Sequence, residues 1–236
     1  MTDYILVHGA YHGGWCWRYV TPVLRAQGHE VHTPSLTGLG DRAHLASPDI
    51  DLETHINDIC GLILSEDLNG VVLVGHSYAG VVIGGVADRL RERISGLVFV
   101  DALLPEDGQT VLDYQTPERA KFLLDRAENN DGWRLPPISA EVYGIEDPVL
   151  AAWVDEKCVG QPLATFRQVQ KLTGAWNSVP DKSYIRCTRS GLDYMDRFSE
   201  RALADDSWKV HYLSTGHDCM VTEPDQLAAL LLTVAD

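Results

Sequence analysis

The sequence predicts an α/β fold, a mainly parallel sheet flanked by helices, with a helical insertion in its second half. Three observations carry this prediction. Short β-branched runs alternate with longer helical patterns, the signature of strand–helix–strand units around a parallel sheet. The run Val71-Val72-Leu73-Val74 is apolar at every position, as a strand covered by helices on both faces must be. The alternation then stops between Pro105 and Asp181, where no strand pattern stands out and proline-initiated helix starts replace it.

Taken in order, the predicted strands are Tyr4–Val7, Glu30–Thr33, Val71–Val74, Leu97–Val100, Ser183–Cys187 and Lys209–Leu213. Between the first four lie segments suited to crossover helices, Trp17–Gln27, Leu52–Leu64 and Tyr78–Arg91. In the insertion, Thr116-Pro117-Glu118 and Asp147-Pro148-Val149 each pair a capping oxygen with a proline at the first helical position, where its missing N–H costs nothing. A third helix is expected near Pro162, with Trp133-Arg134-Leu135-Pro136-Pro137 as a rigid loop between them. At 236 residues the chain fits one domain carrying an insertion: a core of residues 1–104 and 182–236, and a helical cap of 105–181 that is not an independent domain.

Composition narrows the function classes. Apolar residues make up 45% and charged residues 22%, ordinary globular usage that allows a sizeable core. Nineteen basic against 34 acidic residues give a net charge of −15, which repels phosphate backbones and anionic headgroups. The expected partners are therefore a small-molecule substrate and, as an assembly, a homodimer; neither nucleic acid nor membrane is expected. No apolar run approaches the length of about 18 residues that a membrane span needs, and a strand-like run at Tyr4 leaves no room for a signal peptide, so a cytoplasmic protein is expected. The cysteines Cys16, Cys60, Cys158, Cys187 and Cys219 are odd in number and scattered, with no Cys-x-x-Cys pair, and read as small apolar residues.

The most informative run is Val71-Val72-Leu73-Val74-Gly75-His76-Ser77-Tyr78-Ala79-Gly80. An apolar strand enters Gly-x-Ser and leaves directly as a helix, the context a nucleophile elbow requires. There the serine sits on a strained turn that lifts its hydroxyl clear of the backbone, and its neighbours must be small. Position 79 is alanine where the usual pattern has glycine, but Gly80 follows. In isolation such a serine is ordinarily a helix cap; strand before and helix after favour the nucleophile. His76 beside it reads as a packing residue.

An acyl-transfer nucleophile needs N–H donors for the oxyanion. The Tyr78 amide, at a helix N-terminus, supplies one, and Ala10 in His8-Gly9-Ala10, directly after the first strand, supplies the other. His8 and His12 are four apart, but they flank a strand-to-loop glycine and not a helix, so no metal is expected. His217, in Ser214-Thr215-Gly216-His217-Asp218 after the last strand, has the place of a general base. For the acid, Asp101 follows Leu97–Val100 directly, whereas Asp193 and Asp196 lie several residues into the next loop; proximity favours Asp101, and Asp193 remains the alternative.

With these residues placed, the sequence resembles the α/β-hydrolase superfamily, and within it the small bacterial serine esterases and the plant methyl-esterase and hydroxynitrile-lyase group. The resemblance rests on Leu6-Val7-His8-Gly9-Ala10-Tyr11-His12-Gly13-Gly14-Trp15, Gly28-His29-Glu30-Val31, Gly75-His76-Ser77 and Gly216-His217-Asp218-Cys219-Met220 followed by Glu223-Pro224. The bacterial branch is similar also through Thr37-Gly38-Leu39-Gly40-Asp41-Arg42 and Val100-Asp101-Ala102-Leu103-Leu104-Pro105-Glu106-Asp107-Gly108. Residues 105–181 match only loosely.

The resemblance implies an α/β-hydrolase fold and a cofactor-free serine hydrolase. The plant lyases have threonine where Gly9 stands and lysine where Asp218 stands, so lyase activity is not implied. The plant proteins place their aspartate at the position matching Ser190 and have no acidic residue where Asp101 stands, which implies that the acid has moved one strand over.

The expected function is cleavage of a small, mostly apolar carboxylic ester, aromatic by preference, through an acyl-enzyme. Ser77 would be the nucleophile, His217 the base, Asp101 the acid, and Ala10 and Tyr78 the oxyanion donors. Carbamate or amide hydrolysis uses the same groups and is the first alternative; a lyase and a non-catalytic receptor on the same scaffold are the others. Trp133, Trp153, Phe166 and Trp176 with Leu123 and Leu163 are the candidate pocket residues of the cap.

Overall fold

The computed structural model describes residues 1–234; the final two positions of the predicted 182–236 core segment lie outside the described residues. Its centre is a six-stranded, wholly parallel sheet. The chain runs β1 (Asp3–Val7), α1 (Thr21–Ala26), β2 (Glu30–His32), α2 (Leu52–Ser65), β3 (Val71–His76), α3 (Ala79–Arg89) and β4 (Ile94–Val100). An insertion follows: α4 (Pro117–Glu128), β5 (Arg134–Leu135), α5 (Pro148–Lys157), β6 (Gln161–Pro162) and α6 (Ala164–Arg167). The chain then returns through β7 (Asp181–Cys187), α7 (Asp196–Leu203), β8 (Trp208–Leu213), α8 (Cys219–Thr222) and α9 (Pro224–Leu232).

The strand order is β2-β1-β3-β4-β7-β8, so β3 lies inside the sheet with a strand on either side. Every residue of β3 is buried, which is why its sequence shows no polar alternation. Two apolar cores sandwich the sheet. Side chains alternate between them along β3: Leu73 faces the core formed with α2 and α3, and Val72 and Val74 face the one formed with α1 and α9.

The predicted strands and crossover helices all appear, with shifted ends. The expected helix Trp17–Gln27 is split into a 3-10 turn, Gly14–Trp17, and α1, whose proline stands at its start. In the insertion both proline-initiated helices form as their sequences dictate. The Thr116 hydroxyl accepts from the Arg119 N–H at 3.2 Å, and the Asp147 carboxylate accepts from the N–H groups of Val149 and Leu150 at 2.8 and 3.2 Å. The region is not strand-free, however. Arg134–Leu135, expected as loop, pairs antiparallel with Gln161–Pro162. Two-residue strands carry no periodicity to detect, and Pro162 can occupy one because the pair is all edge.

Candidate active site

At the C-terminal end of β3 the backbone turns sharply through Ser77, which has φ of +55°. A non-glycine residue in this region is strained and persists only when its surroundings hold it. Here the Ser77 N–H donates to the Val100 carbonyl at 3.1 Å, and the Ser77 carbonyl accepts from the N–H groups of Gly80 and Leu103, each at 3.1 Å. The smallness required after the serine falls on position 80. A Cβ there would stand 2.0 Å from the Leu103 carbonyl oxygen, whereas Ala79 is simply buried. That accounts for alanine at the position where the usual pattern has glycine.

Tyr78 begins the turn into α3, so its amide lies at the positive end of the helix. Ala10 follows β1 and lines the same cleft as Ser77 and Tyr78. Gly9 lets these segments meet, because a Cβ at that position would come within 2.8 Å of His76 Nδ1 and 3.0 Å of Ser77 Cβ. The Tyr78 side chain is anchored away from the cleft, its hydroxyl 2.9 Å from His55 Nδ1.

His217 stands in the loop between β8 and α8, and its backbone N–H donates to the Tyr143 carbonyl at 2.7 Å. Its Nδ1 lies 2.6 Å from Asp101 Oδ2. A carboxylate only accepts, so Nδ1 carries the proton of this bond and Nε2 is left as the basic nitrogen. Asp101 is the first residue beyond β4 and takes φ of +42°, a second strained position at a strand end. Its other oxygen accepts from Arg186 Nη1 at 2.7 Å and from the Cys187 N–H at 3.1 Å. Burial pushes the Asp101 carboxyl pKa up, but the His217 bond and the Arg186 charge outweigh that and hold it below the ordinary 3.8.

The structure thus brings Asp101 to His217 and not Asp193. Asp193 is exposed at the start of a 3-10 turn, Asp193–Met195. Asp196 binds Arg186 Nε at 2.8 Å, and Ser190 accepts from Arg186 Nη1 at 2.8 Å. Arg186 ties all of these together, and the sequence reading passed over it. The signal was available: an arginine at the penultimate residue of a strand buried from Lys182 onward needs a buried anion.

His8, His12 and His76, the histidines nearest the site, are occupied structurally. His8 accepts from the Leu36 N–H at 3.0 Å through Nε2 and donates to the Gly9 carbonyl at 2.8 Å; burial pulls its pKa down to about 3, so it stays neutral. His12 turns elsewhere, with Nδ1 2.7 Å from the Ala10 carbonyl and Nε2 3.3 Å from Asp218 Oδ2. His76 donates through Nε2 to the His217 carbonyl at 3.0 Å, and burial pulls it to about 3 as well. It is buried, and it also holds the backbone of His217. Asp218 is fully buried; burial raises its pKa, but His12 and then His76 and His217 carry it far below the usual carboxylate range.

Ser77 and His217 open onto a cleft of about 400 Å³, mouth included. Of the expected cap residues, Leu123 and Phe166 line it. The other four do not. Trp133 and Leu163 border a separate surface hollow, Trp153 packs edge-to-face on Trp15 at 5.1 Å, and Trp176 is buried against Phe99 and Trp208. An apolar residue on a short helix gives no sign of which side faces a cavity. Missed altogether were the polar lining groups Tyr11, Gln115, Arg119, Tyr143 and Tyr194.

Comparison with known proteins agrees with this geometry. The model of the alpha/beta hydrolase family matches residues 4–230. A carbendazim hydrolyzing esterase from Nocardioides sp. is 39% identical, covering 98% of both chains. Methylesterase 2 from Arabidopsis thaliana is 27% identical over 99% of this chain and 95% of its own. Among solved structures, an extracellular alpha/beta-hydrolase from a Paenibacillus species superposes with a TM-score of 0.85 at 21% identity, covering 99% of each chain.

Proposed function

This chain belongs to the alpha/beta hydrolase family, and from that premise we propose that Ser77, His217 and Asp101 form its acyl-transfer triad, with the Ala10 and Tyr78 amides as the oxyanion hole. It is an ester-hydrolysing enzyme. In the mechanism we propose, His217 Nε2 takes the Ser77 proton as Oγ attacks the carbonyl carbon, and the oxyanion is held by the two amides. Collapse expels the alcohol, which receives the proton from His217. Water, deprotonated by the same nitrogen, then attacks the acyl-enzyme and releases the acid with Ser77 restored. Asp101 fixes the imidazole tautomer and stabilises the imidazolium.

The observation that carries this reading is the buried 2.6 Å bond between Asp101 and His217 beside a cleft that holds Ser77, Tyr78 and Ala10. The substrate is a small, mostly apolar carboxylic ester, with residues 105–181 acting as its cap. A carbamate is the second reading, supported by the name of the carbendazim hydrolyzing esterase. A lyase arrangement is disfavoured by the space at Gly9, too small for a side chain, and by Asp218, which is turned into the interior towards His12. Among the described residues no helix is long and apolar enough to cross a membrane, and the five unpaired cysteines support a cytoplasmic place.

The test is Ser77→Ala in purified protein. Hydrolysis of p-nitrophenyl acetate and of carbendazim should drop by about 10³-fold or more, and an organophosphate should add mass to the wild type and not to the variant. Turnover surviving in Ser77→Ala would overturn the reading.

A further inference from the structure

The cleft contains a guanidinium that the hydrolytic mechanism does not use. Arg119 lies in the first turn of α4, whose start is fixed by the Thr116 cap on the Arg119 N–H itself. Its Nε donates to Gln115 Oε1 at 3.0 Å, and its guanidinium carbon lies 5.4 Å from the centre of the Tyr194 ring. Gln115, Tyr194, Tyr11 and Tyr143 line the cleft with it. All three phenols are pushed up in pKa by burial and pulled back by the charge of Arg119, which places that charge among them.

Arg42, Arg89, Arg134, Arg186, Arg189 and Arg201 each have a carboxylate partner. Arg119 has none among the described residues; seven other arginines also lack one, but Arg119 is the arginine that lines the cleft. Its Nε is spent on a neutral amide and the Tyr194 hydroxyl is a further neutral hydrogen-bond partner, so a planar anion entering the cleft would meet a guanidinium that no carboxylate holds. A half-buried cation among phenols, with no anion in contact with it, can take one from a ligand. The net charge of −15 argues against anionic substrates only at long range, since such fields are screened beyond about 8 Å in physiological salt. Within the cleft the nearest formal charge is positive.

Resting on the triad reading above, we propose that Arg119 makes the cleft selective for aromatic esters that carry a second, hydrogen-bond-accepting group, above all a carboxylate, so that monoesters of aromatic dicarboxylic acids are the preferred class. Gln115 bonds the guanidinium at Nε and Tyr194 meets it through its ring and its hydroxyl, so the group is held by neutral partners alone. The aromatic ring of the substrate lies against Phe166 and Leu123.

The experiment compares monomethyl terephthalate, methyl 4-carbamoylbenzoate and methyl benzoate. Wild type should prefer the carboxylate ester over methyl benzoate by about tenfold or more in kcat/KM, expressed mainly in KM, with the amide between them, as a charge-assisted hydrogen bond predicts. In Arg119→Met that ratio should collapse to about one, and in Arg119→Lys, which keeps the charge without the fork, a reduced preference should remain. A wild type that treats the three esters alike, or a preference that survives Arg119→Met, overturns the proposal. Binding of the same esters to Ser77→Ala by calorimetry reads the preference without turnover. A ranking in that binding, alongside a wild type that takes no organophosphate adduct, would sink the triad reading and leave Arg119 in place; no ranking, alongside a wild type that does take the adduct, would do the reverse.

Discussion

The floor of the cleft and its wall are built on opposite principles. The floor, at the C-terminal ends of β1, β3, β4, β7 and β8, is polar and buried. Asp101, His217, His76, His12, Asp218 and Arg186 are all buried, and each is bonded to another member or to backbone. The wall, contributed largely by the insertion, is made of aromatic and aliphatic contacts with Gln115 and Arg119 set among them. Large apolar side chains stay exposed on the same segment, Phe122 at 48% and Val149 at 76%. A buried polar network admits one residue type per place, because each change leaves a neighbour unsatisfied. A contact surface changes by degrees. Substitutions in the floor should therefore act steeply on rate, and those in the wall should act gently on binding.

The steepest break is Asp101→Asn. It keeps the size and the strained backbone but presents the wrong partner to His217 Nδ1, and kcat should fall by about 10³- to 10⁴-fold with little change in KM. Asp193→Asn, on the exposed turn, should behave as wild type. Steady-state kinetics on one ester decide between them, and a large loss confined to Asp193→Asn would mean that the base is oriented from another loop.

The next effect concerns Arg186, whose guanidinium helps hold the Asp101 carboxyl below its ordinary pKa. A depressed carboxylate pKa contributes stability that is present above 3.8 and lost as pH falls through the folded value. Without the arginine the Asp101 pKa rises, so protonation of the acid, and with it loss of activity, should begin at higher pH. In Arg186→Met the acidic limb of the kcat/KM profile should move up. The protein should also lose about 3 to 5 kcal/mol of stability, the cost of stranding a buried carboxylate. Arg186→Lys should restore part of both. An unmoved limb in a folded Arg186→Met would make the arginine a strut with no electrostatic part.

The same contrast explains what could be read from the sequence. The sheet was legible because β3 is covered on both faces and so wrote its burial into every residue from Val71 to Val74. Ser77 and His217 were legible because the roles proposed for them need particular residue types at strand ends. That Asp101 and not Asp193 meets His217 is a matter of space: β7 pairs beside β4 and carries Arg186 and the Cys187 N–H to the Asp101 carboxylate. The wall was mostly illegible. Trp133 and Trp176 have the size of pocket residues, but one faces a different hollow and the other lies in the core. Nothing in helical spacing distinguishes those fates. Arg119 was hidden because an arginine in the first turn of a helix is ordinarily solvated.

The gentlest test falls on the wall itself. The Phe166 ring lies parallel to that of Tyr78, 5.5 Å between centres and 7° between planes, and it lines the cleft. Phe166→Leu keeps the site apolar but removes a flat face, and a change of that size is worth about 1 kcal/mol of contact, or roughly a fivefold rise in KM for an aromatic ester. kcat should change less, because Tyr78 is held from its other side by the bond between its hydroxyl and His55 and its amide belongs to the start of α3. Trp133→Ala, beyond the cleft, should leave both constants at wild-type values. If Phe166→Leu instead lowered kcat by a hundredfold while sparing KM, the ring would be positioning the Tyr78 amide for the oxyanion. The wall would then share in the chemistry, and the division between floor and wall would fail at that residue.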